Sequence, residues 1–176
     1  MSKFIASFIL CFVITTTFGQ THGKMSTYLL IQYNNTIYDR TLGNNPWGVG
    51  LGLQTFFNTK TKFKPTIELT GDLYLEDDKV FRVNDDGTPM PDVRGMVNLF
   101  IGTSFSAAKN IYLSFVAGPS FISGQTLLGI KPSFGCNFSK MQRCFAKLSY
   151  INVFNRGNLN KEDFGSISLA IGLKLF

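Results

Sequence analysis

From Phe63 to Glu76 the chain reads FKPTIELTGDLYLE, and apolar and polar side chains take turns. Phe63, Pro65, Ile67, Leu69, Leu73 and Leu75 hold odd positions, while Lys64, Thr66, Glu68, Thr70, Asp72, Tyr74 and Glu76 hold even ones. Successive side chains of a strand point to opposite faces, so this period of two predicts a β-strand with one apolar and one polar face. A strand this long needs a thick apolar solvent against one face and enclosed polar company against the other. That is the environment of a strand in a transmembrane barrel.

The alternation recurs along the chain. It predicts strands over Ser26–Tyr33, Trp47–Phe57, Phe63–Glu76, Met96–Ala107, Ile111–Phe121, Leu128–Phe138, Arg143–Phe154 and Phe164–Phe176. The first is the least regular, because Leu30 intrudes on the face opposite Leu29, Ile31 and Tyr33. In the second, Gly48, Gly50 and Gly52 share the polar face. GVGLG is therefore space inside a narrow barrel, since a phosphate cradle needs a strand-to-helix turn. No apolar-face position in these strands carries a charge. An arginine on the lipid face at mid-bilayer costs about 2–4 kcal/mol, which accounts for that sorting. Connections are long after the first and third strands, moderate after the fifth and seventh, and short otherwise. Short turns belong to the periplasmic side, so both termini are expected there. Tyr33, Trp47, Tyr150 and Phe164 are expected to form an outer aromatic girdle, with Phe57, Phe63 and Phe138 forming an inner one.

Composition sharpens this picture. Charged residues make up 16% of the chain and Phe alone numbers 18, yet no stretch after the first twenty residues is apolar enough for a membrane helix. Residues 1–19 read as a signal peptide, with Lys3 ahead of an apolar core, Phe4 to Ile14, and Thr17-Phe18-Gly19 before the cut. Residues 20–176 then form the barrel domain. Cys11 lies within the apolar core, outside the small-residue setting of a lipidation site. The formal charge of +6 is spread along the chain with no basic stripe interleaved by aromatics, so no nucleic-acid partner is expected.

Eight strands, short turns on one side, a signal peptide and the ending AIGLKLF together resemble the small outer-membrane barrels of the OmpA and OmpX type. The resemblance spans nearly the whole mature chain. It implies an all-β, eight-stranded, antiparallel up-and-down transmembrane β-barrel in the bacterial outer membrane. It also implies membrane lipid and the barrel assembly machinery as partners, the latter through the C-terminal strand. In that ending, Lys174 stands where an outward hydrophobe is usual and Phe176 falls on the lumen parity.

An eight-stranded barrel has an interior that side chains can fill. Its ionised groups must be paired there, so Lys64, Glu68, Asp72, Lys131, Lys147 and Lys174 are expected to form a lumen charge network, helped by Gln54, Asn98 and Asn137. Such a network either plugs the barrel or gates a narrow pore. Cys136 and Cys144 share the outward parity and lie equidistant from Lys140. They are candidates for a cross-strand disulfide worth about 2.5 kcal/mol of loop-closure entropy, or else two small lipid-facing hydrophobes. Asn84-Asp85-Asp86-Gly87 lacks the spaced ligands and distant Glu of a calcium loop and reads as a turn. The mature chain has one histidine, His22, ahead of the first strand, and nothing nominates a nucleophile. No enzyme chemistry, metal or cofactor is expected. Segments 34–46 and 77–94 are the candidates for binding an extracellular ligand. A soluble lipocalin-like barrel, with the apolar face inward around a lipid, is the alternative. The Gly, Ser and Thr that dominate the polar face suit water poorly as an outer surface.

Overall fold

The structure, a computed structural model, describes residues 25–37, 46–75, 87, 94–122, 124–138, 143–154 and 163–176. The expected leader 1–19, His22, Lys140 and most of segments 34–46 and 77–94 lie outside the described residues. Eight strands are present among those described: β1 (Met25–Thr36), β2 (Trp47–Phe57), β3 (Phe63–Leu75), β4 (Gly95–Ser106), β5 (Ile111–Ile122), β6 (Gln125–Asn137), β7 (Cys144–Val153) and β8 (Phe164–Lys174). Each pairs antiparallel with its neighbour in sequence, and β1 pairs with β8 (Leu29 opposite Leu173) to close the barrel. Closure leaves no sheet edge with unpaired backbone groups, the condition for placing strands in hydrocarbon.

The period of two becomes an inside and an outside. In β3 buried and exposed positions alternate from Pro65 to Leu75 without a break. Leu51, Leu69, Leu73, Ile101 and Leu169 are 44–64% exposed on the outer wall, whereas Glu68, Lys131 and Lys147 are at most 1% exposed within. This orientation is the reverse of a lipocalin's. A continuous exposed apolar band of this size is stable against lipid and unstable in water.

Two expectations are corrected. Phe164 belongs to no outer girdle: it is fully buried, edge-on to Tyr74 at 5.2 Å inside the barrel. Its even position, like that of Ser166, points into the lumen. The connection after β5 is a tight two-residue turn, since Ile122 pairs with Gln125. Gly124 takes a φ of 78° there, the left-handed conformation that two-residue hairpins require and that glycine adopts without a Cβ clash. The longer connections are thus three, after β1, β3 and β7, all at one end of the barrel. At the other end lie the connections after β2, β4 and β6, along with Met25 and Phe176.

Candidate functional site

The lumen is the site that the fold builds, and it has three layers. At the turn end, Tyr28, Leu30, Phe56, Tyr112 and Phe145 form a buried cluster. Its rings meet edge to face, with Tyr28 and Phe145 centroids 4.9 Å apart and Tyr112 and Phe145 5.6 Å apart, the arrangement that aromatic quadrupoles prefer. Glycines make room for them. Gly135 lies opposite Tyr112 and Gly172 opposite Phe145, and a Cβ on either would collide with the ring it faces. At the loop end, Tyr74, Met96, Phe100, Val116, Ile122, Ile151, Val153 and Phe164 form a second buried cluster. These apolar inward positions were not anticipated from the polar reading of that face.

Between the two clusters lies the charged layer. Glu68, at the middle of β3, accepts from Lys131 Nζ at 2.7 Å on one carboxylate oxygen and from Lys147 Nζ at 2.6 Å on the other. Lys147 also donates to Gln54 Oε1 at 3.0 Å, and Lys131 to Gln32 Oε1 at 3.5 Å. Asp72 meets amides in place of lysines. Gln32 Nε2 and Asn34 Nδ2 donate to its Oδ1, the latter at 2.7 Å, while Asn98 Nδ2 (3.1 Å) and the Thr70 hydroxyl (3.5 Å) reach its Oδ2. Gln32 therefore links the two halves, accepting from Lys131 and donating to Asp72. Opposite it, Gly50 leaves the space these side chains fill, since a Cβ there would run into Asp72 and Gln32. The formal charges of the four groups sum to zero, and each is paired or hydrogen-bonded, as burial in a low dielectric demands.

Of the expected network, Glu68, Lys131 and Lys147 come together in one triad, with Asp72 joined through Gln32. Two members are corrected. Lys174 is exposed at the end of β8, and Lys64 is half-buried near the start of β3; neither has an ion-pair partner among the described residues. Both stand at the turn-end rim, where water solvates an ammonium. Asn137 likewise lies at that rim, in a small polar pocket of about 40 Å³ with Lys64, Lys109 and Tyr112. Gln32 and Asn34, which the sequence reading left out, lie on β1 at the lumen parity beyond Leu30.

The expected Cys136–Cys144 bridge is also corrected, for both thiols are free. Across β6 and β7, Cys136 faces Ala146, and the Phe138 amide donates to the Cys144 carbonyl at 3.1 Å. The two cysteines are thus diagonal partners, and such pairs are separated by about 7–8 Å, beyond the usual reach of a disulfide.

Several buried polar atoms have no partner among the described residues: Gln54 Nε2, Asn98 Oδ1, the Tyr112 hydroxyl and those of Ser114, Ser120, Ser133, Ser149 and Ser168. Ser114, Ser133, Ser149 and Ser168 are successive register partners from β5 to β8, so their hydroxyls form one inward row around the wall. Among the described residues, no three His, Cys, Asp or Glu lie close enough together to hold a metal ion.

No protein-family model matches the chain, and no curated protein does. Solved structures do. The Yersinia pestis outer membrane protein Ail, in a phospholipid bilayer nanodisc, matches with a TM-score of 0.57 at 12% identity over 85% of this chain and 99% of that one. Ail in complex with the heparin analogue sucrose octasulfate matches with a TM-score of 0.52 at 13% identity, over 86% and 99%. Neisserial surface protein A (NspA) matches with a TM-score of 0.53 at 8% identity, over 86% and 97%. Closed topology, an exposed apolar band and these likenesses agree: the chain has the eight-stranded transmembrane barrel fold of the small outer-membrane proteins that Ail and NspA represent.

Proposed function

We propose that this protein is a sealed outer-membrane barrel whose task lies in binding at the cell surface rather than in conduction. One observation carries the reading. The Glu68–Lys131–Lys147 triad is closed off on both sides by apolar clusters, and an ion crossing the lumen would have to leave water and displace both. The long connections after β1, β3 and β7 share one end of the barrel, and loops on a rigid scaffold are where recognition concentrates. Residues 1–19 would direct export, both termini would face the periplasm, and β8 would be the strand read by the assembly machinery. Segments 34–46 and 77–94 would carry the ligand contacts.

Ail takes a polyanionic heparin analogue. Here Glu76, Asp77, Asp78, Asp85, Asp86 and Asp92 outnumber Lys79, Arg82 and Arg94 between β3 and β4. That balance favours a neutral or cationic partner over a polyanion. The test has two parts. Fractionation with heat-modifiable gel mobility should place the folded chain in outer membranes, and recordings in planar bilayers should show no steady conductance. Steady single-channel steps would replace this reading with a narrow pore, and recovery in the soluble fraction would end it.

A further inference from the structure

Charge is distributed unevenly between the two ends of the barrel. At the turn end, Lys60, Lys62, Lys109, Arg143 and Lys174 are exposed and Lys64 is half-buried. No Asp or Glu occurs in that rim: every acid of the chain lies in the lumen (Glu68, Asp72) or in the segments after β1, β3 and β7. Side-chain charges of one sign in such a collar attract anions and repel cations at the membrane surface.

Beside this collar the outer wall is not smooth. A groove of about 540 Å³ runs across β4 to β8. Thr103, Phe105, Leu113, Pro132, Phe134 and Leu148 are among the residues that line it. Thr103, Phe115 and Pro132 are register partners, and so are Phe105, Leu113 and Phe134. Two short side chains in the first row leave the depression. Phe105 pairs with Leu113, so the centre of that hairpin is Lys109. On the inner face of the same hairpin, Ser104, Ser106, Lys109 and Tyr112 line the small polar pocket together with Lys64. An apolar groove on the outer wall and a basic pocket within the rim thus share one hairpin, β4–β5, with Lys109 at its tip.

We infer that the barrel holds one anionic phospholipid of the leaflet at its turn end, with the head-group phosphate on Lys109 and Lys64 and an acyl chain in the groove over Thr103 and Pro132. The inference rests on the membrane reading above and adds a ligand to the wall and rim. Each base near a charged membrane surface is worth about a fivefold preference for anionic lipid. The full chain, folded in nanodiscs of equal phosphatidylcholine and phosphatidylglycerol, is released into mild detergent and its retained lipids are weighed by native mass spectrometry. One phosphatidylglycerol per barrel is expected, in preference to phosphatidylcholine. Lys109→Glu should reduce that preference at least fivefold, and Thr103→Trp, which fills the groove, should abolish retention of the single lipid. Arg156→Glu, the same charge change between β7 and β8, should leave it unaltered. Heat-modifiable mobility shows that each variant is folded. Equal retention of the two lipids, or a preference that survives Lys109→Glu, overturns the inference while leaving the membrane barrel intact. A chain that never enters the nanodisc overturns both, and the two failures are distinguishable.

Discussion

Replacing Glu68 by Gln keeps the shape of the side chain and removes the only carboxylate among the described residues that pairs with Lys131 and Lys147. Those ammoniums are 1% and 0% exposed, so neither can recover its hydration without opening a cluster of packed side chains. The amide oxygen can accept from one of them, but it neutralises neither. Removing one partner of a buried ion pair costs about 3–5 kcal/mol, chiefly because the other charge is left uncompensated. With a urea dependence of about 1–3 kcal/mol per molar, a 4 kcal/mol loss lowers the unfolding midpoint by about 2 M. The assay is urea titration of the barrel in lipid bilayers, followed by gel mobility of unheated samples. Glu68→Gln and Asp72→Asn combined with Lys131→Met and Lys147→Met removes all four charges and puts apolar volume in place of the lysines. It should recover most of the loss, because apolar replacement of a buried ion network is often neutral or stabilising. A midpoint shift under about 0.5 M for Glu68→Gln alone would mean that the lysines find water, and the sealed lumen would be wrong.

Three further outcomes follow from the same geometry. Leu51→Arg, at a position 61% exposed on the outer wall, should lower stability in bilayers by about 2–4 kcal/mol. Ala107→Arg, exposed in the β4–β5 turn, should change it by less than about 0.5 kcal/mol; equal effects at both sites would deny the lipid band. Gly135→Val places a branched side chain against the Tyr112 ring and should cost about 1–3 kcal/mol by overpacking. Tyr112→Ala in the same chain should relieve part of that cost, and additive losses would show that the two do not touch. Both Cys136 and Cys144 should react completely with a thiol reagent in denaturant without prior reduction, whereas a protected fraction would reveal a bridge.

The strands were legible because lipid imposes a strict rule. A charge on the outer wall is costly, so no strand carries one on its outward parity, and β2 and β3 were bounded to within one residue. The lumen obeys a looser rule, and there the sequence was less informative. Phe100, Val116 and Phe145 sit at inward positions among Ser, Gly and Asn, and nothing local marks them as members of two apolar layers, because their partners come from strands far apart in sequence. Gln32 and Asn34 were missed for simpler reasons: the polar run after Tyr33 ended the expected strand before Asn34, and Gln32, inside it, carries no charge that demands a partner. Glu68, Lys131 and Lys147 were readable as a set, since a buried charge in an uncharged wall must find its opposite. Which lysines reach it depends on depth along the barrel axis, and Lys64 and Lys174 stand too near the rim. The cysteines show how far a turn decides register: with Cys136 facing Ala146, the symmetric pairing about Lys140 gives way to a diagonal one.

The central claim is that one parity of each strand touches lipid chains and the other is shut inside. It can be tested on the unmodified chain by methyl nuclear Overhauser measurements in phospholipid nanodiscs. The methyls of Leu51, Leu69 and Ile101 should show cross-peaks to acyl-chain methylenes, and those of Leu30, Val116 and Ile122 should show none. Lipid cross-peaks on Leu30 and Val116, with Leu51 and Leu69 silent, would contradict the account.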